Sequence, residues 1–100
     1  MGQFAKRVYT DPAKIRRLEY LVDQLPTNGH VVLQLMDGTS YDGVVCERPN
    51  VQVFRDFQEN EGINGVVRLE RPDAPAWTCY VWLGDIHRVE HLDSIMGSET

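Results

Sequence analysis

His87, Glu90 and His91 stand in the order H-x-x-E-H within HRVEH (87–91). On a helix that spacing brings two imidazoles to one zinc ion while the glutamate handles the proton of a bound water. The chemistry needs the helix. Ile86, Val89, Leu92 and Met96 do fall at helical spacing, but the alternation of IHRVEHL after Gly84-Asp85 equally describes a final strand. On a strand, His87 and His91 would share a face and collect a metal only opportunistically. The downstream carboxylate within reach, Glu99, lies in what reads as a tail, and 100 residues leave little room for a peptide cleft. Zinc binding through this trio is therefore the remote reading. No other catalytic constellation is present, neither G-x-S-x-G nor a phosphate-binding glycine loop. The expectation is a protein that is not an enzyme, with no metal and no cofactor.

A second stretch, QENEGINGVV (58–67), sets glycine and asparagine directly before a β-type valine pair. Gly62 and Gly65 give such a segment backbone freedom, so it reads as a shaped loop. Arg55 and Phe57 precede it. Cys46 and Cys79 sit inside apolar stretches without C-x-x-C partners, and read as small buried residues rather than a disulfide pair.

The elements that must position these residues begin with DPAKIRRLEYLVDQL (11–25), read as one helix. Asp11 can cap it and Pro12 suits its first position. Ile15, Leu18, Val22 and Leu25 form its apolar stripe, while Lys14, Arg16 and Arg17 fall away from it. From His30 the period becomes alternating. HVVLQLM and SYDGVVCE flank an Asp37-Gly38 turn, and Gly43 marks a bend or a close backbone approach. VQVFRDF (51–57), GVVRLER and WTCYVWL follow. In the last of these, Tyr80 and Trp82 occupy the face opposite Trp77, Cys79, Val81 and Leu83. Two large aromatics on an outer face point to a subunit contact.

A helix followed by about five short strands predicts a mainly β fold in which the strands close into a small barrel. The expected organisation is an N-terminal arm (1–10), a single domain over 11–92 with its barrel at 30–92, and a frayed tail (93–100).

Charge is unevenly spread in a chain of net charge −5. Residues 1–17 hold five basic side chains against one acid, whereas the remaining 83 carry five arginines against 14 acids. That acidic body argues against nonspecific DNA binding, while the basic end permits local contact with an anion. No apolar run nears the roughly 20 residues a bilayer demands and no signal peptide is visible, so a cytoplasmic protein without membrane contact is expected.

Three stretches resemble the Sm-like family, which includes Sm, LSm and Hfq proteins, and more closely a small bacterial family of about this length with a variant Sm-like fold. VVLQLMDGTSYDGVV (31–45) is similar to the opening of the family's first motif, INGVVRLE (63–70) to the apolar-Asn pair leading into its third strand, and VWLGDIHRV (81–89) to its second motif. The likeness covers residues 11–92. It implies a helix and a five-stranded, strongly bent antiparallel barrel of SH3 type. It also implies a dimer or ring joined through strand edges, to which the contact read from Tyr80 and Trp82 would belong, and short single-stranded RNA as partner. In that family the asparagine before the third strand meets an RNA base, which an amide can pair as donor and acceptor. Asn64 matches it, with Ile63 as anchor; Phe54 and Asp56 resemble the family's aromatic-acid pair. A second register would put Asn50 in that place.

The implied RNA site is Asn64 with Gly62, Gly65, Arg55, Phe57 and Arg88, supported by Lys14 and Arg17 of the helix. Leu83 stands where the family carries a basic residue before the glycine, and Asp85 adds negative charge beyond it. These departures keep a second reading open, a protein-interaction or scaffold barrel that has lost nucleotide binding.

Overall fold

The structure, a computed structural model, describes residues 3–92. The predicted tail, with Met96 and Glu99, lies outside the described residues. In chain order the elements are β1 (Gln3–Phe4), α1 (Pro12–Asp23), β2 (His30–Leu35), β3 (Ser40–Val45), β4 (Gln52–Arg55), β5 (Glu61–Asn64), β6 (Val66–Glu70), β7 (Thr78–Trp82) and β8 (Ile86–His91). A 3₁₀ turn, Leu83–Asp85, joins the last two strands.

Helix α1 starts on Pro12 as the sequence predicts and stops two residues before Leu25. Asp11 holds the extended backbone of an N-cap, but its side chain makes no capping bond. Leu18, Leu21 and Val22 face inward, with Leu25 buried just beyond the helix end. Ile15 is only half-buried, and Leu21 takes its place in the stripe.

Strands β7-β6-β3-β2-β8 form one antiparallel sheet in that order. The β2–β3 hairpin turns at Asp37-Gly38, where Gly38 has φ +91° and the Asp37 carboxylate accepts from the Thr39 N–H and hydroxyl. That left-handed backbone suits glycine because no Cβ is present to clash. At Gly43 the neighbouring strand comes so close that an added Cβ would lie 3.0 Å from the Glu70 carbonyl oxygen, which bears out the close approach read from the sequence. The sheet's inner face supplies Val31, Leu33, Val45, Val67, Leu69 and Val81, which pack with the helix leucines, Leu83 and Ile86 into one core. Each such side chain contributes about 1.5–3 kcal/mol by leaving water.

The predicted closed five-stranded barrel is not found. Among the described residues there are eight strands in two sheets, the second having the order β1-β4-β5. The physical reason is that β4 pairs with β5 instead of joining the large sheet, and the N-terminal arm adds β1 in parallel to β4. Residues 61–64, expected as loop, therefore form a strand. The two sheets meet where the Phe54 ring packs edge-on to Trp82 at 5.3 Å.

Register also settles the cysteines. Leu69 pairs with Val45 and with Cys79, whereas Arg68 is opposite Tyr80 and its carbonyl accepts from the Cys46 N–H. Neighbours across a sheet point to one face, so Cys79 follows the core row and Cys46 the outer row. Both are free thiols, and burial pushes the Cys79 thiol above its ordinary value.

Candidate functional site

The segment HRVEH is strand, paired with β2, and a register shift at Gln34/Leu35 leaves His87 without a facing residue. His87 is exposed, while the half-buried His91 ring meets the Gln24 carbonyl at the end of the helix. Glu90 lies on the outer side with Arg88, 3.6 Å away. The remote zinc reading is corrected accordingly: the helix it requires is absent, and no group of three metal-binding side chains is present among the described residues.

Asn64, the last residue of β5, is 2% exposed. Its Nδ2 donates to the Arg7 carbonyl at 2.9 Å, and its Oδ1 accepts from the N–H of Gly65 at 2.8 Å and of Gly84 at 3.1 Å. One amide thereby ties together the N-terminal arm, the β5–β6 junction and the 3₁₀ turn. The surroundings leave no slack. A Cβ at Gly65 would stand 2.7 Å from both the Asn50 carbonyl oxygen and the Leu83 Cδ1, and one at Gly84 would meet the Tyr9 ring. The amide expected to face a base is engaged by the chain's own backbone.

The other residues expected at the RNA site or at a subunit contact lie apart from Asn64. Gly62 lies under the arm, against Val8 and Tyr9. Arg55 and Phe57 sit at the tip of the β4–β5 hairpin, where Arg55 pairs with Glu61 at 3.3 Å and Glu59 at 4.0 Å. Phe57 is 76% exposed and packs edge-on to Phe4 at 4.4 Å. Tyr80 is 66% exposed on β7, while Trp82 is half-buried by Phe54 of the same chain.

Lys14 and Arg17 are brought together, and with a residue the sequence reading missed. They join Arg7 around a cavity of about 410 Å³ whose remaining walls are Tyr9, Leu18, Leu21, Met36, Leu83 and Gly84. Every charged residue lining it is a cation. Arg17 is held rigidly, its Nη2 donating to the carbonyls of Ile86 at 3.1 Å and His87 at 2.8 Å. The Lys14 ammonium stands 5.9 Å from the Tyr9 ring centroid. A smaller hollow of about 340 Å³, also lined by Arg17, includes Arg88. Arg7 carried one sequence signal, the excess of base over acid in residues 1–17. Its placement depends on the arm docking through backbone bonds, Ala5 N–H to Arg55 and a reciprocal pair between Tyr9 and Ile63.

The hairpin tip is organised by Asp56. Its Oδ1 accepts from the N–H of Asn60 and of Gln58, both at 2.9 Å, and these bonds hold its carboxyl below the usual aspartate range. A depressed folded-state pKa means the bonds stabilise the tip above the ordinary carboxylate pKa and are lost as pH falls through the lowered value. Acidification is therefore expected to lower the protection factors of the Gln58 and Asn60 amides, that is their slowing relative to an unstructured chain at the same pH, before those of the core amides. Tip and core protection factors that keep a constant ratio at every pH would contradict it.

Residues 2–92 match the family model described as "Domain of unknown function (DUF3247)". A solved structure from Xanthomonas campestris, described as adopting a novel variant of the Sm-like motif, is 38% identical, with a TM-score of 0.83 over 90% of this chain and 97% of that one. No curated protein matches the chain. With nearly the whole chain covered by the model, and a variant Sm-like neighbour of the same extent, the protein belongs to the DUF3247 family.

Proposed function

We propose that the chain is a non-enzymatic Sm-like module that binds short single-stranded RNA, gripping a nucleotide in the cavity above Leu83 and Gly84. The observation that carries this reading is the convergence of Arg7, Lys14 and Arg17 on an apolar floor, with no carboxylate in the lining, in a chain of net charge −5. Base and phosphate ask for those two things together, an apolar or aromatic surface for the ring and cations for the backbone. Tyr9 and Met36 offer the first, and Arg88 extends the cationic track beyond Arg17. Asn64 supports the site from below by fixing the Gly84 turn and the arm that carries Arg7.

Short oligonucleotides should be retained at low salt and released as salt rises. Single strands give a log–log salt slope of about −0.7 per phosphate contact, so the Arg7→Gln/Lys14→Gln double variant is expected to lose about 1.4 from that slope and roughly tenfold in affinity. Both side chains are exposed, so the fold should survive. Absence of retention at low salt by the folded protein overturns the RNA reading. The scaffold reading has one observation in its favour, the exposed Phe4–Phe57 pair on an acidic tip.

A further inference from the structure

The tip of the β4–β5 hairpin and the cavity are complementary. The tip displays Phe57, packed against Phe4, beside Glu59 and Glu61, at 83% and 59% side-chain exposure; the two carboxylates share one cation, Arg55, so the tip stays acidic. The cavity offers an apolar floor beneath Arg7, Lys14 and Arg17. An aromatic ring flanked by carboxylates presents the same pair of features as a base with its phosphate. We propose that the hairpin tip of one copy occupies the cavity of a second copy, placing Phe57 on the apolar floor and the tip's acids against its cations.

Three observations support this. The tip is preorganised: Asp56 accepts from two backbone N–H groups, its own N–H donates to the Asn60 carbonyl, and Glu59 is held at φ +63°, a left-handed conformation uncommon outside glycine. A segment already fixed in shape loses little entropy on docking. The size suits, since cavities from roughly 300 Å³ upward take compact ligands. The tip also cannot fill its own cavity. Asn64 anchors the cavity end of β5 and Glu61 the tip end, three strand steps of about 3.3 Å apart. The contact is therefore between molecules and head-to-tail, a type that builds rings or open chains. One knob in one cavity is a small interface, so it forms at high concentration and dissociates on dilution. This occupancy does not depend on the RNA reading. Where RNA does bind the cavity, the two compete.

Sedimentation of the full chain at low salt, between about 1 and 100 µM, tests it; that range brackets weak association. The wild type should at least double its weight-average mass across the range and return to monomer at high salt. Phe57→Ala and Arg7→Gln/Lys14→Gln should each remain monomeric alone, because each lacks one half of the contact. Mixed, they should form a 1:1 dimer that grows no further. Glu59→Lys, at an exposed position off the core, should weaken assembly at least severalfold without loss of fold. A wild type that stays monomeric throughout, or Phe57→Ala that assembles like wild type, overturns the proposal. Adding a short single-stranded RNA separates the two readings. Dissociation of the assembly supports both, and binding without dissociation overturns the shared cavity. No RNA binding alongside Phe57-dependent assembly removes the RNA reading alone.

Discussion

Leu83→Arg is expected to unfold the domain rather than give it a better hold on nucleic acid. The resemblance to Sm-like proteins places a basic residue at this position, which makes the substitution look like a restoration. The structure says otherwise. Leu83 is fully buried in the core with its Cδ1 packed against Gly65, and the cavity it borders is already lined by Arg7, Lys14 and Arg17, so a further cation finds no favourable place on either side. An unpaired guanidinium there must stay in an apolar interior, crowd the three cations of the cavity, or drag the 3₁₀ turn outward, breaking the Leu83 N–H bond to Gly65 and the Gly84 N–H bond to Asn64. Burying an uncompensated charge costs more than about 5 kcal/mol, comparable with the whole stability of a domain this size. Circular dichroism and urea unfolding should show a largely unfolded chain, with Leu83→Ala intermediate at a loss of about 2–5 kcal/mol. A Leu83→Arg protein as stable as wild type and tighter on RNA would mean that this residue faces outward.

The same comparison explains what this chain has done with the Sm-like plan. The N-terminal arm lies over the place where the resemblance expects an open nucleotide site, with the Tyr9 ring on Gly84 and the Arg7 carbonyl on Asn64. The cations missing beside the glycine reappear on the arm and helix, one layer farther out. On the proposed RNA reading, the grip would lie on the surface that covers the loops rather than on the loops themselves.

Much of this was legible in the sequence, for local reasons. Asp11-Pro12 marks the helix start, Asp37-Gly38 the hairpin, and the alternation through WTCYVWL sorts the faces of β7, because each signal is carried by neighbours in the chain. What was missed depends on partners distant in sequence. QENEGIN has the composition of a loop, yet Glu61–Asn64 becomes a strand because β4 offers it a ladder on one side and Tyr9 bridges it on the other. Tyr80 and Trp82 look equivalent by alternation, but only Trp82 meets Phe54 from the second sheet. The amide of Asn64 read as a hand held out to a ligand for the same reason: its three backbone partners come from residues 7, 65 and 84, and only one of these is local.

Asn64→Ala should therefore report on the fold first. It leaves two N–H donors and one carbonyl without the partner that now serves all three, in a site sealed to 2% exposure. A buried group deprived of its hydrogen bond costs about 1–3 kcal/mol; with some relaxation toward solvent at the Gly84 turn, a total near 3 kcal/mol is expected. At about 4–8 °C per kcal/mol for a domain of this size, the melting temperature should fall by roughly 12–24 °C. The damage should be ordered, with the Gly65 and Gly84 amides exchanging early and the arm loosening as Arg7 loses its anchor. RNA affinity should weaken in step with that loosening and recover at temperatures where the arm is protected. A melting point within a degree or two of wild type, together with lost RNA binding, would return Asn64 to the role of a ligand contact.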